Sequence, residues 1–149
     1  MSHHSIQLTW ELGAKEFSPE QYNTDHNILY NSKTIIKGGS SPDYGGDVNN
    51  INPEQNLAAA MSSCHMMTFL AIAAKMKWPI VAYRDTAIAY LGKNSKGKIS
   101  VNKIELNPKI TFGNNFSISD EEMKKMKDRS HRYCFIANSL SEEVEIIIN

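Results

Sequence analysis

Ile6, Leu8, Trp10 and Leu12 alternate with Gln7, Thr9 and Glu11 at the start of the chain. A two-residue period predicts a strand with one wet face. Residues 26–31 and 33–37 read as two more short strands, divided by Asn31-Ser32. The stretch from Gly38 to Asn50 is dense in Gly, Ser, Pro and Asp, and connectors of that length are often functional. Asn52-Pro53-Glu54-Gln55 then predicts a helix start. Asn52 caps, Pro53 suits the first position, Glu54 meets the positive end of the dipole and Gln55 completes a capping box. The helix should run to about Lys77, where Trp78-Pro79 stops it. Residues 80–91 and 98–112 read as two long strands around an Asn94–Gly97 turn, with Pro108 marking an edge or a bulge. Ser119-Asp120-Glu121-Glu122 opens a second helix, expected to reach about Ser139, and residues 144–148 form a closing strand. The order βββ-α-ββ-α-β predicts an α+β fold with mostly antiparallel sheets packed on two helices.

Composition narrows the class. At 149 residues the chain is one domain's worth, expected to be a single domain over 1–149. Sixteen basic residues balance sixteen acidic ones, so the footprint of a nucleic-acid or anionic-membrane binder is absent. Met1–Ser5 carry neither a basic nor an apolar leader, which places the expected location in the cytoplasm. Leu57–Ala74 contains no Asp, Glu, Lys or Arg and reaches the lower length limit of a membrane span. Its Ser62, Ser63, His65, Thr68 and many alanines favour a core helix instead, with no membrane partner. No P-loop or GxGxxG motif is present, so no nucleotide or other cofactor is expected.

Two cysteines are too few for a disulfide scaffold but enough for one reactive pair. A helical cysteine is more often a small buried hydrophobe than a nucleophile. Helical spacing places Leu57, Met61, Cys64, Thr68 and Ala71 on one face of the first helix. On the second it aligns Met123, Met126, Ser130, Tyr133, Cys134 and Ala137. If the two stripes pack on each other, the sulfurs can meet. Cys64 lies too far past its cap for the helix dipole to favour a thiolate, so a cation or a hydrogen bond must do it. The chain has three arginines, Arg84, Arg129 and Arg132. His65 points about 100° round the helix from Cys64, whereas His131 shares a face with Cys134.

Asn52-Pro53-Glu54-Gln55, Ser62-Ser63-Cys64-His65-Met66 and His131-Arg132-Tyr133-Cys134-Phe135-Ile136-Ala137-Asn138-Ser139, with Gly39-Ser40-Ser41-Pro42, Gly46-Asp47 and Asp25-His26, resemble the OsmC/Ohr family of thiol-dependent peroxidases. The resemblance is to its OsmC-like peroxiredoxin branch and spans nearly the whole chain. It implies an intertwined homodimer that reduces organic hydroperoxides to alcohols. Cys64 resembles the peroxidatic cysteine, Cys134 the resolving cysteine, and Glu54 the carboxylate that holds the active-site arginine. The implied cycle forms a Cys64 sulfenic acid, then a Cys64–Cys134 disulfide that an external dithiol reduces, in part of the family a lipoylated protein. One position departs from the pattern: Thr24, in Asn23-Thr24-Asp25-His26, stands where the family carries arginine. Arg132 and then Arg84 are the candidate substitutes. Glu54 precedes Cys64 by ten residues, about 15 Å along a straight helix, so a shared site calls for a partner subunit's Glu54 or a folded-back helix start.

Two other readings stay open. Cys64, His65, His131 and Cys134 have the chemistry of zinc ligands, although neighbouring helical residues diverge. Alternatively, Thr24 marks a non-catalytic module that holds a small hydrophobic ligand at a dimer interface.

Overall fold

The structure, a computed structural model, describes residues 1–149. The chain forms two compact units, Met1–Asn56 and Leu57–Asn149.

In the first unit, β1 (Gln7–Thr9), β2 (His26–Asn31) and β3 (Thr34–Gly38) make an antiparallel sheet in that order. The Asn31 side chain accepts the N–H groups of Lys33 and Thr34, both at 2.9 Å, which closes the β2–β3 hairpin. The expected first strand shrinks to three residues, and Leu8 stays exposed although the alternation pointed it inward. The long loop then returns to the sheet. Gly39 N–H bonds to the Ile51 carbonyl and Ile51 N–H to the Lys37 carbonyl, leaving Asn52 free to cap the next helix. Its side chain accepts from Gln55 N–H at 2.8 Å, and Gln55 Oε1 accepts from Asn52 N–H at 3.0 Å, the reciprocal box that the sequence pattern predicts.

Helix α1 (Pro53–Lys75) carries its first turn in this unit and the remainder in the second. It is long and apolar enough to cross a membrane by length and composition. Ala58, Met61, His65, Phe69 and Ala73, at three- and four-residue spacing, form its buried face, so it serves as a core helix. That face runs through His65, leaving Cys64 at its edge and Ala71 exposed, a rotation from the expected stripe.

Both long strands predicted for the second unit are broken in two. Residues 80–91 become β4 (Ile80–Arg84) and β5 (Ile88–Lys93), while 98–112 become β6 (Ile99–Leu106) and β7 (Lys109–Phe112). The observed order is therefore βββ-α-ββββ-α-β within the same α+β class. Pro108 has no N–H to offer a ladder, which ends β6. At the other break Asp85 takes over from the ladder. Its carboxylate accepts Asn107 N–H at 2.7 Å and the Ser62 hydroxyl at 2.5 Å, while Asn107 Nδ2 donates to the Thr86 carbonyl at 3.0 Å. The pieces then pair separately, β4 with β7 and β5 with β6, and the closing strand β8 (Glu145–Ile148) runs parallel to β6.

Helix α2 (Asp120–Arg132) begins on the predicted Ser119–Glu122 capping box. It ends seven residues before the expected Ser139, so Tyr133 and Cys134 lie beyond it and Tyr133 is exposed. Two core clusters form in this unit. Met61, Ile104, Leu106 and Cys134 are the buried centre of one, and Phe69, Ala73 and Met126 that of the other.

Candidate active site

Cys134 is fully buried in the first cluster, and the half-buried Cys64 packs against that same cluster among Met61, Ala89, Val101 and Ile146. Two segments seventy residues apart in sequence thus converge on one apolar cluster. Both thiols are free. The α1 backbone at Cys64 is tied down by Thr68, whose hydroxyl donates to the Cys64 carbonyl at 2.9 Å. The Cys134 sulfur accepts from Ala137 N–H at 3.5 Å, a contact made possible by the tight turn after α2. Burial, and next the adjacent Cys64 sulfur, push the Cys134 thiol up to about 11, overriding the opposing pull of the Ala137 and Ile136 N–H groups. Cys134 is therefore a protonated thiol at neutral pH, in contact with a more accessible partner.

The candidate cations lie elsewhere. Arg84, Arg129 and Arg132 are all exposed, and none acts on Cys134. Arg132, the first substitute suggested by sequence, presents its carbonyl to Asn138 Nδ2 instead. The zinc reading meets no ligand set, since no three His, Cys, Asp or Glu side chains converge.

His65, beside Cys64 in sequence, turns into the core. Its Nδ1 meets the Tyr83 hydroxyl at 3.2 Å and its Nε2 the Lys127 carbonyl at 3.4 Å. Nε2–H donating to that carbonyl leaves Nδ1 to accept from Tyr83. Burial lowers the pKa of the ring, with the backbone bond to Lys127 opposing it. The unfolded chain takes up a proton at higher pH than the folded one, so stability falls as pH drops through the ordinary imidazole range. Melting curves between pH 7.5 and 5 should show this fall, and His65→Gln should flatten it. His131 lies near enough to lower His65 further, and its own Nδ1 is buried without a partner.

Glu54 belongs to the first unit, half-buried in the first turn of α1. It lines a hollow of about 240 Å³ together with Thr24, His26, Ser41 and Tyr44. Thr24 has a structural task there: its hydroxyl accepts Ser40 N–H at 2.9 Å and its carbonyl accepts His26 Nδ1–H at 2.7 Å. His26 and Ser41 were visible in the sequence only as members of the Asp25-His26 and Ser40-Ser41 pairs; nothing in their spacing announced a common wall.

A family model described as OsmC-like protein matches residues 45–149. The chain belongs to the OsmC-like family. Its fold is the OsmC-like fold throughout. An OsmC-like protein of unknown function from Vibrio cholerae is 37% identical, with 100% of this chain and 99% of that one covered at a TM-score of 0.91. An organic hydroperoxide resistance protein OsmC from Legionella pneumophila is 14% identical, covering 99% and 97% at a TM-score of 0.71. An organic hydroperoxide resistance protein from Elizabethkingia anophelis is 19% identical, covering 99% and 95% at a TM-score of 0.72. The last two share the OsmC-like fold at identities that carry no more than the fold. No functionally curated protein matches the chain.

Proposed function

We propose that this OsmC-like protein is a two-cysteine peroxidase that reduces organic hydroperoxides to alcohols. The observation that carries the reading is the adjacency of Cys64 and the buried Cys134 in one apolar cluster. The Cys64 thiolate attacks the outer peroxide oxygen, the O–O bond breaks, and the alkoxide takes up a proton and leaves as alcohol. Cys64 is then a sulfenic acid. The Cys134 sulfur displaces its hydroxyl as water, forming the disulfide, and an external dithiol, such as a lipoylated protein, returns both thiols. An apolar wall favours a hydrophobic peroxide, and exclusion of water protects the sulfenic acid from further oxidation.

The reading includes a cytoplasmic homodimer, with no membrane or nucleic-acid partner, in which Glu54 is contributed to the site by the partner subunit. The exposed outer face of α1, where Ala59, Met67, Ala71 and Ala74 lie uncovered, supports a second copy as its cover. Sedimentation should give twice the chain mass of 16.8 kDa. In the deciding assay, cumene hydroperoxide removes both titratable thiols and a dithiol restores them; an unchanged thiol titre defeats the proposal. One observation favours a second reading. With Thr24 committed to Ser40 and every arginine exposed, the fold could serve as a non-catalytic module for a small hydrophobic ligand. A full thiol titre after peroxide, with a melt raised by an apolar ligand, would select it.

A further inference from the structure

The two sulfurs of the Cys64–Cys134 pair differ sharply in access. Cys134 has no exposed surface and is enclosed with Met61, Ile104 and Leu106. Cys64 keeps part of its surface at the edge of the same cluster. Each is anchored through its own backbone. The Thr68 hydroxyl holds the Cys64 carbonyl. Cys134 is held at both ends: its N–H donates to the His131 carbonyl and its carbonyl accepts Asn138 N–H, both at 3.1 Å. A thiolate that reduces a disulfide needs an open path to one sulfur, in line with the bond that breaks. Packed side chains close every path to Cys134, whereas Cys64 can be reached from the edge. The Ala137 N–H, 3.5 Å from the Cys134 sulfur, is a donor aimed at the atom on which charge appears when the bond breaks on that side. Burial makes Cys134 a reluctant leaving group, and the Ala137 and Ile136 N–H groups oppose that cost. Access decides, because an enclosed sulfur cannot be attacked whatever its partner's leaving ability.

We infer that reduction of the disulfide is one-sided: the external dithiol attacks the Cys64 sulfur, and Cys134 leaves toward the Ala137 N–H. One thiolate of the dithiol bonds to Cys64, the S–S bond breaks, and its electron pair goes to the Cys134 sulfur, which then takes a proton from water. The second thiol of the reductant, having released its proton to solvent, attacks the reductant sulfur of the mixed disulfide. That expels the Cys64 thiolate and leaves the reductant as a cyclic disulfide. Burial keeps the reprotonated Cys134 neutral, so it is slow to attack the mixed disulfide again, and the linkage on Cys64 lasts long enough for the reductant to close its ring. This assignment rests on the two-cysteine reading and deepens it. It gives the reductant a single target and gives Ala137 a role at a reacting atom.

Diamide, which joins thiols without any peroxide, prepares the disulfide in the full-length protein. A brief exposure to 2-mercaptoethanol, an acid quench, alkylation of the freed thiol with N-ethylmaleimide and peptide mass mapping then read which sulfur was attacked. Mercaptoethanol should be found on Cys64 and the maleimide on Cys134. Mercaptoethanol on Cys134, an even division between the two, or no Cys64–Cys134 disulfide after diamide overturns the assignment. The part of Ala137 is tested in a chain ligated at Cys134, with lactic acid replacing Ala137, which removes the N–H and keeps the methyl group. Reduction of its disulfide by dithiothreitol should slow about tenfold, the worth of one hydrogen bond to a charged atom. The melting temperature of the oxidised form should stay close to wild type. In the Cys64→Ser background, the thiolate absorbance of Cys134 should appear at higher pH than with the natural Ala137. An unchanged rate and titration overturn the role of Ala137. The peroxidase reading is judged separately. Attack confined to Cys64 in a protein whose thiols survive cumene hydroperoxide upholds this assignment and removes the peroxidase, while mercaptoethanol on Cys134 in a protein that peroxide oxidises does the reverse.

Discussion

Challenged with one equivalent of cumene hydroperoxide, the wild-type protein should lose about 2 Da as two thiols become a disulfide. Cys134→Ala should instead gain about 16 Da, because a sulfenic acid forms and no neighbouring thiol condenses with it. Cys64→Ser should keep its mass and its peroxidase activity should fall to the background rate, the largest effect expected of any single substitution. The three masses together test both the order of events and the identity of the partners. The asymmetry arises from packing. Cys134 is at the centre of a cluster with Met61, Ile104 and Leu106, whereas Cys64 stands at its edge on α1. Peroxide can reach the edge, and the sulfenic acid that forms there already faces the buried thiol. If Cys134→Ala returned to its starting mass during repeated additions without an added thiol, the resolving role would be lost. If Cys64→Ser gained oxygen at Cys134, the two roles would have to be exchanged.

Local chemistry made much of this arrangement readable from the residues alone. The Asn52–Gln55 and Ser119–Glu122 boxes set both helix starts, since such signals act within four residues and need no tertiary partner. The ends were harder. Periodicity carried α2 on to Ser139, but the helix stops at Arg132, and the following turn brings Ala137 N–H to the Cys134 sulfur. The extended reading of 80–91 and 98–112 failed for a related reason. Asp85 sits among good strand formers, and its pairing with Ser62 and Asn107 depends on residues more than twenty positions away. Within the candidate site, the inward placement of both cysteines followed from their apolar surroundings, although Cys134 lies beyond α2 and Cys64 at the edge of the buried face of α1, not on two packed helical stripes. The inward turn of His65 did not, because its partners, the Tyr83 hydroxyl and the Lys127 carbonyl, come from two other elements. His26 and Ser41 share a hollow only because the loop after β3 folds back beside that strand through Ile51.

Raising the pH should weaken the reduced fold, and Cys134 should account for most of the early loss. Its folded thiol titrates at about 11, above the value of 9.0 for an unperturbed thiol. Between those values the unfolded chain has already released the proton that the folded chain still holds. Stability therefore declines as pH rises through that window and is fully retained below it. A shift of this size corresponds to about 3 kcal/mol by its upper end, observable as a progressive drop in urea midpoint. Cys134→Ala should remove this component. Tyr83, also held protonated by burial and by the Asp85 charge, contributes with the same sign and should leave a residual slope above pH 10 in the variant. Oxidised protein offers the complementary control: once the sulfurs are joined, no thiol proton remains to be lost, and the alkaline decline should shrink to the Tyr83 slope. The comparison bears on chemistry as well as stability. The same burial that makes Cys134 resist ionisation keeps it from reacting first with peroxide, and the proton it retains leaves only when its sulfur displaces water from the Cys64 sulfenic acid. An alkaline profile identical in wild type and Cys134→Ala would mean that Cys134 is as easily ionised as a solvated thiol, and would remove the physical basis for assigning the first attack to Cys64.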